Sequence, residues 1–226
     1  GQDWTLGTGW SIGEDKAIHT GSTGNIITNA SLFLNKNYKV QFEILSIADG
    51  VCNIYDTGTS TTYESYTSNG IKTAYIKKDS NGSLAIRSNS SNVSITNISV
   101  KEVGQNWTLG TGWEIGDSVA NAVNAPFSSQ LVDSATLTAS KKYSVSFVIS
   151  NYIQGIVKVA VGNVFSSDVS ADGSYTFILT SANTNAFKVQ AMGGGSGTTL
   201  SITNISVIEI TDDTNLPRIN YEGFSY

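Results

Sequence analysis

The sequence predicts an all-β chain folded as two tandem jelly-roll β-sandwich domains. Residues 1–13 (GQDWTLGTGWSIG) and 104–116 (GQNWTLGTGWEIG) agree at eleven of thirteen positions. The repeat also ends twice on one motif, Ile95-Thr96-Asn97-Ile98-Ser99-Val100 and Ile202-Thr203-Asn204-Ile205-Ser206-Val207. A repeat with a marked start and a marked end is a folded unit copied whole. Between these marks apolar residues alternate with period two, the spacing of a half-buried strand.

Composition bounds the answer in the same direction. Val, Ile, Thr, Tyr and Phe supply most of the apolar mass, Gly is frequent at 22 and Pro scarce at 2. That mixture favours strands joined by tight turns. Each copy has about 100 residues, a common domain size, so the expected divisions are 1–103, 104–210 and a C-terminal segment 211–226. A net charge of -5 and the lack of a basic stripe argue against nucleic acid as a partner. No apolar run approaches the roughly 18 residues of a membrane span, and the N-terminus lacks the shape of a signal peptide. Cys52 is the only cysteine, which excludes an internal disulfide.

Aligning the copies justifies each element in turn. The opening segments carry Trp4 and Trp10, repeated as Trp107 and Trp113. Tyr38, Val40, Phe42 and Ile44 share a phase with Tyr143, Val145, Phe147 and Ile149, and are read as core. Past Gly50 and Gly155, the next strand pairs Cys52 with Val157 and Ile54 with Val159, so Cys52 reads as a small buried hydrophobe. The turn dipeptides Asn69-Gly70 and Asp172-Gly173 precede strands at 71–76 and 174–179. Leu84 and Ile86 match Phe187 and Val189 as inward residues, leaving Ala85 and Arg87 outward against Lys188 and Gln190. The closing strand places Val93, Ile95, Asn97 and Ser99 on one side, with Ile98 and Val100 on the other after a shift of phase. About eight strands per copy suit a jelly roll; an immunoglobulin-like sandwich is the alternative, weakened by the missing Cys and Trp pattern. Residues 211–226 (TDDTNLPRINYEGFSY from Thr211) lose the alternation and read as a linker or a packing arm.

The framework resembles a known superfamily. Trp-Thr-Leu-Gly with a second Trp, a strand of the type Lys-Asn-Tyr-Lys-Val-Gln-Phe, and the close Ile-Thr-Asn-Ile-Ser-Val-Lys-Glu-Val are similar to carbohydrate-binding modules of the galactose-binding-like jelly-roll group attached to cellulases and xylanases. WTLGTGWSIG followed by TDDTNLPRINYEGF also resembles modules of bacteriophage tail-fibre and other virion proteins. The resemblance implies glycans or a cell-surface polysaccharide as partner, a place on a virion surface or outside the cell, and a role in adhesion. Other virion subunits are the further partners it implies.

A sugar site needs flat aromatic faces and side chains that hydrogen-bond hydroxyls. Positions that the copies share build the scaffold; outward positions that differ are free for recognition. The first copy carries outward Tyr55, Gln41, Glu43, Asn53 and Arg87, with Tyr63, Tyr66 and Tyr75 nearby. If these strands share one sheet, they form a polar face with Tyr55 as its aromatic platform. Trp10 and Trp113, beside glycines, are candidates for stacking on sugar, or else they close the ends of the core. The second copy offers a blander face of Ser144, Ser146, Val148, Lys158, Ala160, Lys188 and Gln190.

Catalysis and metal chemistry find little support. One His and one Cys exclude nucleophilic triads and make zinc unexpected. His19 reads as a surface or loop residue. No inward acid recurs in both copies, since Glu43 is matched by Val148, so a glycosidase pair is not expected. The Gly193–Gly197 run lacks a following Lys, so it is no phosphate loop. No Asp-x-Asp-x-Asp-Gly calcium loop is present; the superfamily resemblance implies that a structural calcium ion is often held by loop carboxylates, for which Glu14, Asp15 and Asp117 near the first loop are the candidates. The sequence therefore points to non-catalytic glycan-binding modules, with purely structural spacer domains of a virion fibre as the alternative.

Overall fold

The structure, a computed structural model, describes residues 3–89 and 92–211. The chain divides into two compact units, Gly1–Gln105 and Asn106–Tyr226. Every regular element among the described residues is a β-strand. The expectation of a linker or packing arm falls mostly on residues outside those described.

The first unit runs β1 (Trp4–Leu6), β2 (Trp10–Gly13), β3 (Lys16–His19), β4 (Gly24–Thr28), β5 (Asn37–Ile47), β6 (Val51–Asp56), β7 (Thr62–Tyr66), β8 (Gly70–Lys77), β9 (Leu84–Asn89) and β10 (Val93–Val103). They form two antiparallel sheets, ordered β1-β4-β9-β6-β7 and β2-β3-β10-β5-β8. Numbered afresh from β3, the eight main strands lie in the orders 2-7-4-5 and 1-8-3-6, the winding of a jelly roll, with β1 and β2 added at the edges.

The second unit repeats this strand for strand. It comprises β11 (Trp107–Leu109), β12 (Trp113–Ile115), β13 (Val119–Ala125), β14 (Gln130–Asp133), β15 (Lys142–Gln154), β16 (Val157–Val161), β17 (Val164–Phe165), β18 (Gly173–Thr180), β19 (Lys188–Ala191) and β20 (Thr198–Ile210). Its sheets are ordered β11-β14-β19-β16-β17 and β12-β13-β20-β15-β18.

The inward residues of β5 and β15 form the centre of each core. Tyr38, Val40, Phe42 and Ile44 are buried, as are Tyr143, Val145, Phe147 and Ile149. Each tyrosine also finds a partner for its hydroxyl, which accepts the backbone N–H of Phe33 at 2.8 Å in one unit and of Thr138 at 2.9 Å in the other. A buried phenol needs such a partner.

The phase shift of the closing strands is a β-bulge. Thr96 pairs with Glu43 and Ser99 with Gln41, so Asn97 and Ile98 together face Phe42. In the second unit Thr203 pairs with Val148 and Ser206 with Ser146. Asn97 and Asn204 both have φ of 52°, a left-handed conformation that asparagine tolerates better than most residues. The bulge corrects the expected facing: Asn97 points outward, and Ile98 and Val100 follow Val93 and Ile95 on the core side.

One buried ion pair distinguishes the first unit. The Lys78 ammonium meets Asp56, and both side chains are at most 1% exposed. Ser80 Oγ donates within 2.7 Å of the Asp56 oxygens, and the amides of Gly58 and Thr59 donate to Oδ1 at 2.8 and 3.2 Å. Tyr63 adds its hydroxyl at 3.3 Å. Burial opposes ionisation of Asp56, but Lys78, Ser80 and the two amides outweigh it and hold the carboxyl well below its usual range. In the second unit Val161 ends the strand matching β6 and Ser181 follows the strand matching β8, so the pair is absent there.

Breaking a buried pair on one side leaves an uncompensated charge. Lys78→Met is expected to destabilise the first unit by about 3–5 kcal/mol, read from urea unfolding followed by hydrogen exchange of first-unit peptides. The double variant Asp56→Val/Lys78→Ser, which copies the second unit, is expected to recover most of that loss. Because the folded carboxyl titrates below its unfolded value of about 4, its stabilisation is complete above that pH and is lost as pH falls. First-unit stability from urea unfolding should therefore fall between about pH 4 and pH 2 in the native protein, and the double variant should lack that fall. Cys52 is fully buried, and burial, opposed by Lys72, pushes its thiol up to about 12. A thiol reagent at neutral pH should leave it unlabelled until the unit is unfolded.

Candidate ligand-binding face

The outer face of the β1-β4-β9-β6-β7 sheet carries the most distinctive chemistry. Ile26, Ile86 and Ile54 point into the core from its three middle strands. Their neighbours therefore point out. Asn25 pairs with Arg87, and Arg87 with Asn53, so the three lie in one cross-strand row. Ile27, Ala85 and Tyr55 form the next row.

These side chains are only partly satisfied. Among the described residues, Asn25 Oδ1, Arg87 Nε and Asn53 Oδ1 are buried atoms without a hydrogen-bond partner. Asn53 is 7% exposed and Tyr55 8%. The Arg87 guanidinium lies 4.5 Å from the centre of the Tyr55 ring, a cation–π contact that holds it against the sheet. Buried polar groups are normally paired, because an unmet donor or acceptor costs about 1–3 kcal/mol. Three such atoms lie in one cross-strand row.

The second unit supplies the comparison. The equivalent row is Gln130, Gln190 and Lys158. Gln130 Nε2 donates to Gln190 Oε1 at 2.9 Å, Gln190 Nε2 to Met192 Sδ at 3.2 Å, and Lys158 meets Asp168 at 3.0 Å. The row is closed upon itself. An open polar hollow of about 530 Å³, lined by Thr5, Ile27, Asn29, Asn81 and Ser83 among others, borders the first unit's face at Ile27.

The structure divides the expected site. Asn53, Tyr55 and Arg87 come together as read from the sequence. Gln41 and Glu43 do not join them: they face outward from β5, in the other sheet, beside Ser99 and Thr96. Asn97 Nδ2 donates to Glu43 Oε2 there at 3.3 Å. The reason is the jelly-roll winding, which sends β5 and β6 to opposite sheets. Tyr55 faces outward but is covered by Arg87, so it supports the guanidinium and is no open platform for a sugar ring.

Trp10 and Trp113 are core residues, 7% and 5% exposed. The glycine beside Trp10 leaves no sugar-sized gap: a Cβ on Gly9 would lie 2.6 Å from the Thr20 carbonyl oxygen and 2.8 Å from His19 Nε2. His19 is itself buried on β3, its ring 5.1 Å from that of Trp10, and Ala122 holds its place in the second unit. Tyr63 serves the Asp56 pair, Tyr66 packs edge-on against Phe42, and Tyr75 lies under Lys39 on the β5 side. Glu14 and Asp15 occupy the turn between β2 and β3, and Asp117 the corresponding turn of the second unit. No three His, Cys, Asp or Glu residues gather among the described residues.

Asn25 is the site residue that the sequence reading missed. Its signal is the burial alternation of β4, with Gly24, Ile26 and Thr28 inward, together with its alignment to Gln130.

No family model and no curated protein matches the chain. Among solved structures it is similar to the N-terminal CBM22-1-CBM22-2 tandem domain from Paenibacillus barcinonensis Xyn10C, at 9% identity and a TM-score of 0.34, over 92% of this chain and 94% of that one. It is also similar to the secreted serine protease VesC from Vibrio cholerae, at 9% identity and a TM-score of 0.33, over 88% of this chain and 50% of that one.

Proposed function

We propose that the chain is a pair of non-catalytic glycan-binding and adhesion modules, with the first unit as the binding member. The observation that carries this reading is the row Asn25–Arg87–Asn53, whose buried polar atoms have no hydrogen-bond partner among the described residues. Two amide oxygens and a guanidinium on a sheet face are suited to the hydroxyl groups of a saccharide. The sealed row of the second unit favours a spacer role for that copy. A place on a phage fibre or other virion surface is supported by the likeness of WTLGTGWSIG and TDDTNLPRINYEGF, which also suggests other virion subunits as neighbours.

Glycan-array binding of the full chain tests the reading. A bound glycan is expected whose signal falls about tenfold or more in Asn53→Ala, as the loss of a hydrogen bond in a dry site requires. Lys158→Ala, at the same place in the second unit, should leave it unchanged. An array without any bound glycan, or a signal indifferent to Asn53, refutes the assignment.

A further inference from the structure

The face described above is electrostatically lopsided. At the outward strand positions of this sheet Arg87 is the only charged side chain; its companions are amides, hydroxyls, Tyr55 and aliphatic residues. None of the ion pairs among the described residues includes Arg87. This is no shortage of acids, because the chain holds 18 Asp and Glu against 13 Lys and Arg. The corresponding face of the second unit treats its cations differently. Lys158 is paired with Asp168, and Lys188 donates to Asn163 Oδ1 at 3.0 Å while lying over the Phe165 ring.

A guanidinium presents parallel N–H donors that match the two oxygens of a carboxylate. Arg87 is half-buried: its Nε–H lies beneath the surface without a hydrogen-bond partner among the described residues, and the exposed part of the side chain remains for a ligand. The Tyr55 ring holds the guanidinium at 4.5 Å and so limits its rotation. Asn25 and Asn53 stand one strand away on either side, at a spacing of about 4.8 Å, each with a buried amide oxygen that has no hydrogen-bond partner among the described residues.

We propose that this face recognises a carboxylate-bearing sugar, a uronate or a related sugar acid, in preference to its neutral counterpart. Arg87 grips the carboxylate, Tyr55 fixes the plane of the grip, and Asn25 and Asn53 accept from the neighbouring hydroxyls. This inference rests on the glycan reading of the same face.

The test compares carboxylated glycans with their own carboxyl-reduced forms, using the full chain and calorimetry. The panel holds polygalacturonate, alginate and sialylated oligosaccharides, each paired with the product in which –COOH has become –CH₂OH. At least one acid is expected to bind about ten- to hundredfold more tightly than its reduced partner, the range of a charge-assisted hydrogen bond. Arg87→Gln places the second unit's residue in the row. It should abolish that preference while the protein keeps its native hydrogen-exchange pattern. Arg87→Lys, which retains the charge but not the fork, should keep only part of it. If neutral glycans bind through Asn53 and no acid outperforms its reduced form, the acid preference is wrong and the glycan reading stands. If no saccharide of either kind binds, both fall. A sulfated glycan that matches the best uronate would overturn the planar grip.

Discussion

The pairing of β5 with β10 is the constraint on which the first unit depends. It joins residues 37–47 to residues 93–103 along nearly their whole lengths, so the chain closes on itself at long range. The bulge at Asn97 fixes how the two strands meet. A slip of one residue would send every side chain to the opposite face. The register passes onward, because β5 ends at Ile47 and β6 begins at Val51, while β9 ends at Asn89 and β10 begins at Val93. Strands β6 and β9 pair with each other in the other sheet. Asparagine in a left-handed turn on one sheet thus helps decide that Asn53 stands beside Arg87 on the other.

The duplicate acts as an internal control on each argument. Features present twice, such as the bulge asparagines, the tyrosine hydroxyls that accept a loop amide and the buried tryptophans, belong to the architecture. Features present once need another explanation. The Asp56–Lys78 pair is one, and Val161 with Ser181 shows that the fold does not require it. The open row is another. Neither could be separated from scaffold in a chain with a single copy.

Much of this was legible in the sequence because alternation reports facing directly. The inward sets of β5, β6 and β9 follow from period two, and so does the outward placement of Asn53, Tyr55 and Arg87. Sheet membership is not encoded locally. Gln41 and Asn53 have the same outward signature, and only the long-range winding assigns them to different sheets. His19 looked like a loop residue for a related reason: its burial depends on Trp10 from the neighbouring strand, and two short strands of four residues leave little periodic signal. The Asp56–Lys78 contact escaped notice because its partners are 22 residues apart and each alone reads as a solvated charge. The outward facing of Tyr55 follows from period two, but spacing does not reveal that Arg87 covers its ring.

The unsatisfied row also bears on the stability of the first unit. A sheet face with three unmet polar atoms is incomplete, and whatever saturates those atoms stabilises the native state through mass action alone. The second unit, whose row is closed by its own hydrogen bonds, lacks this latent gain.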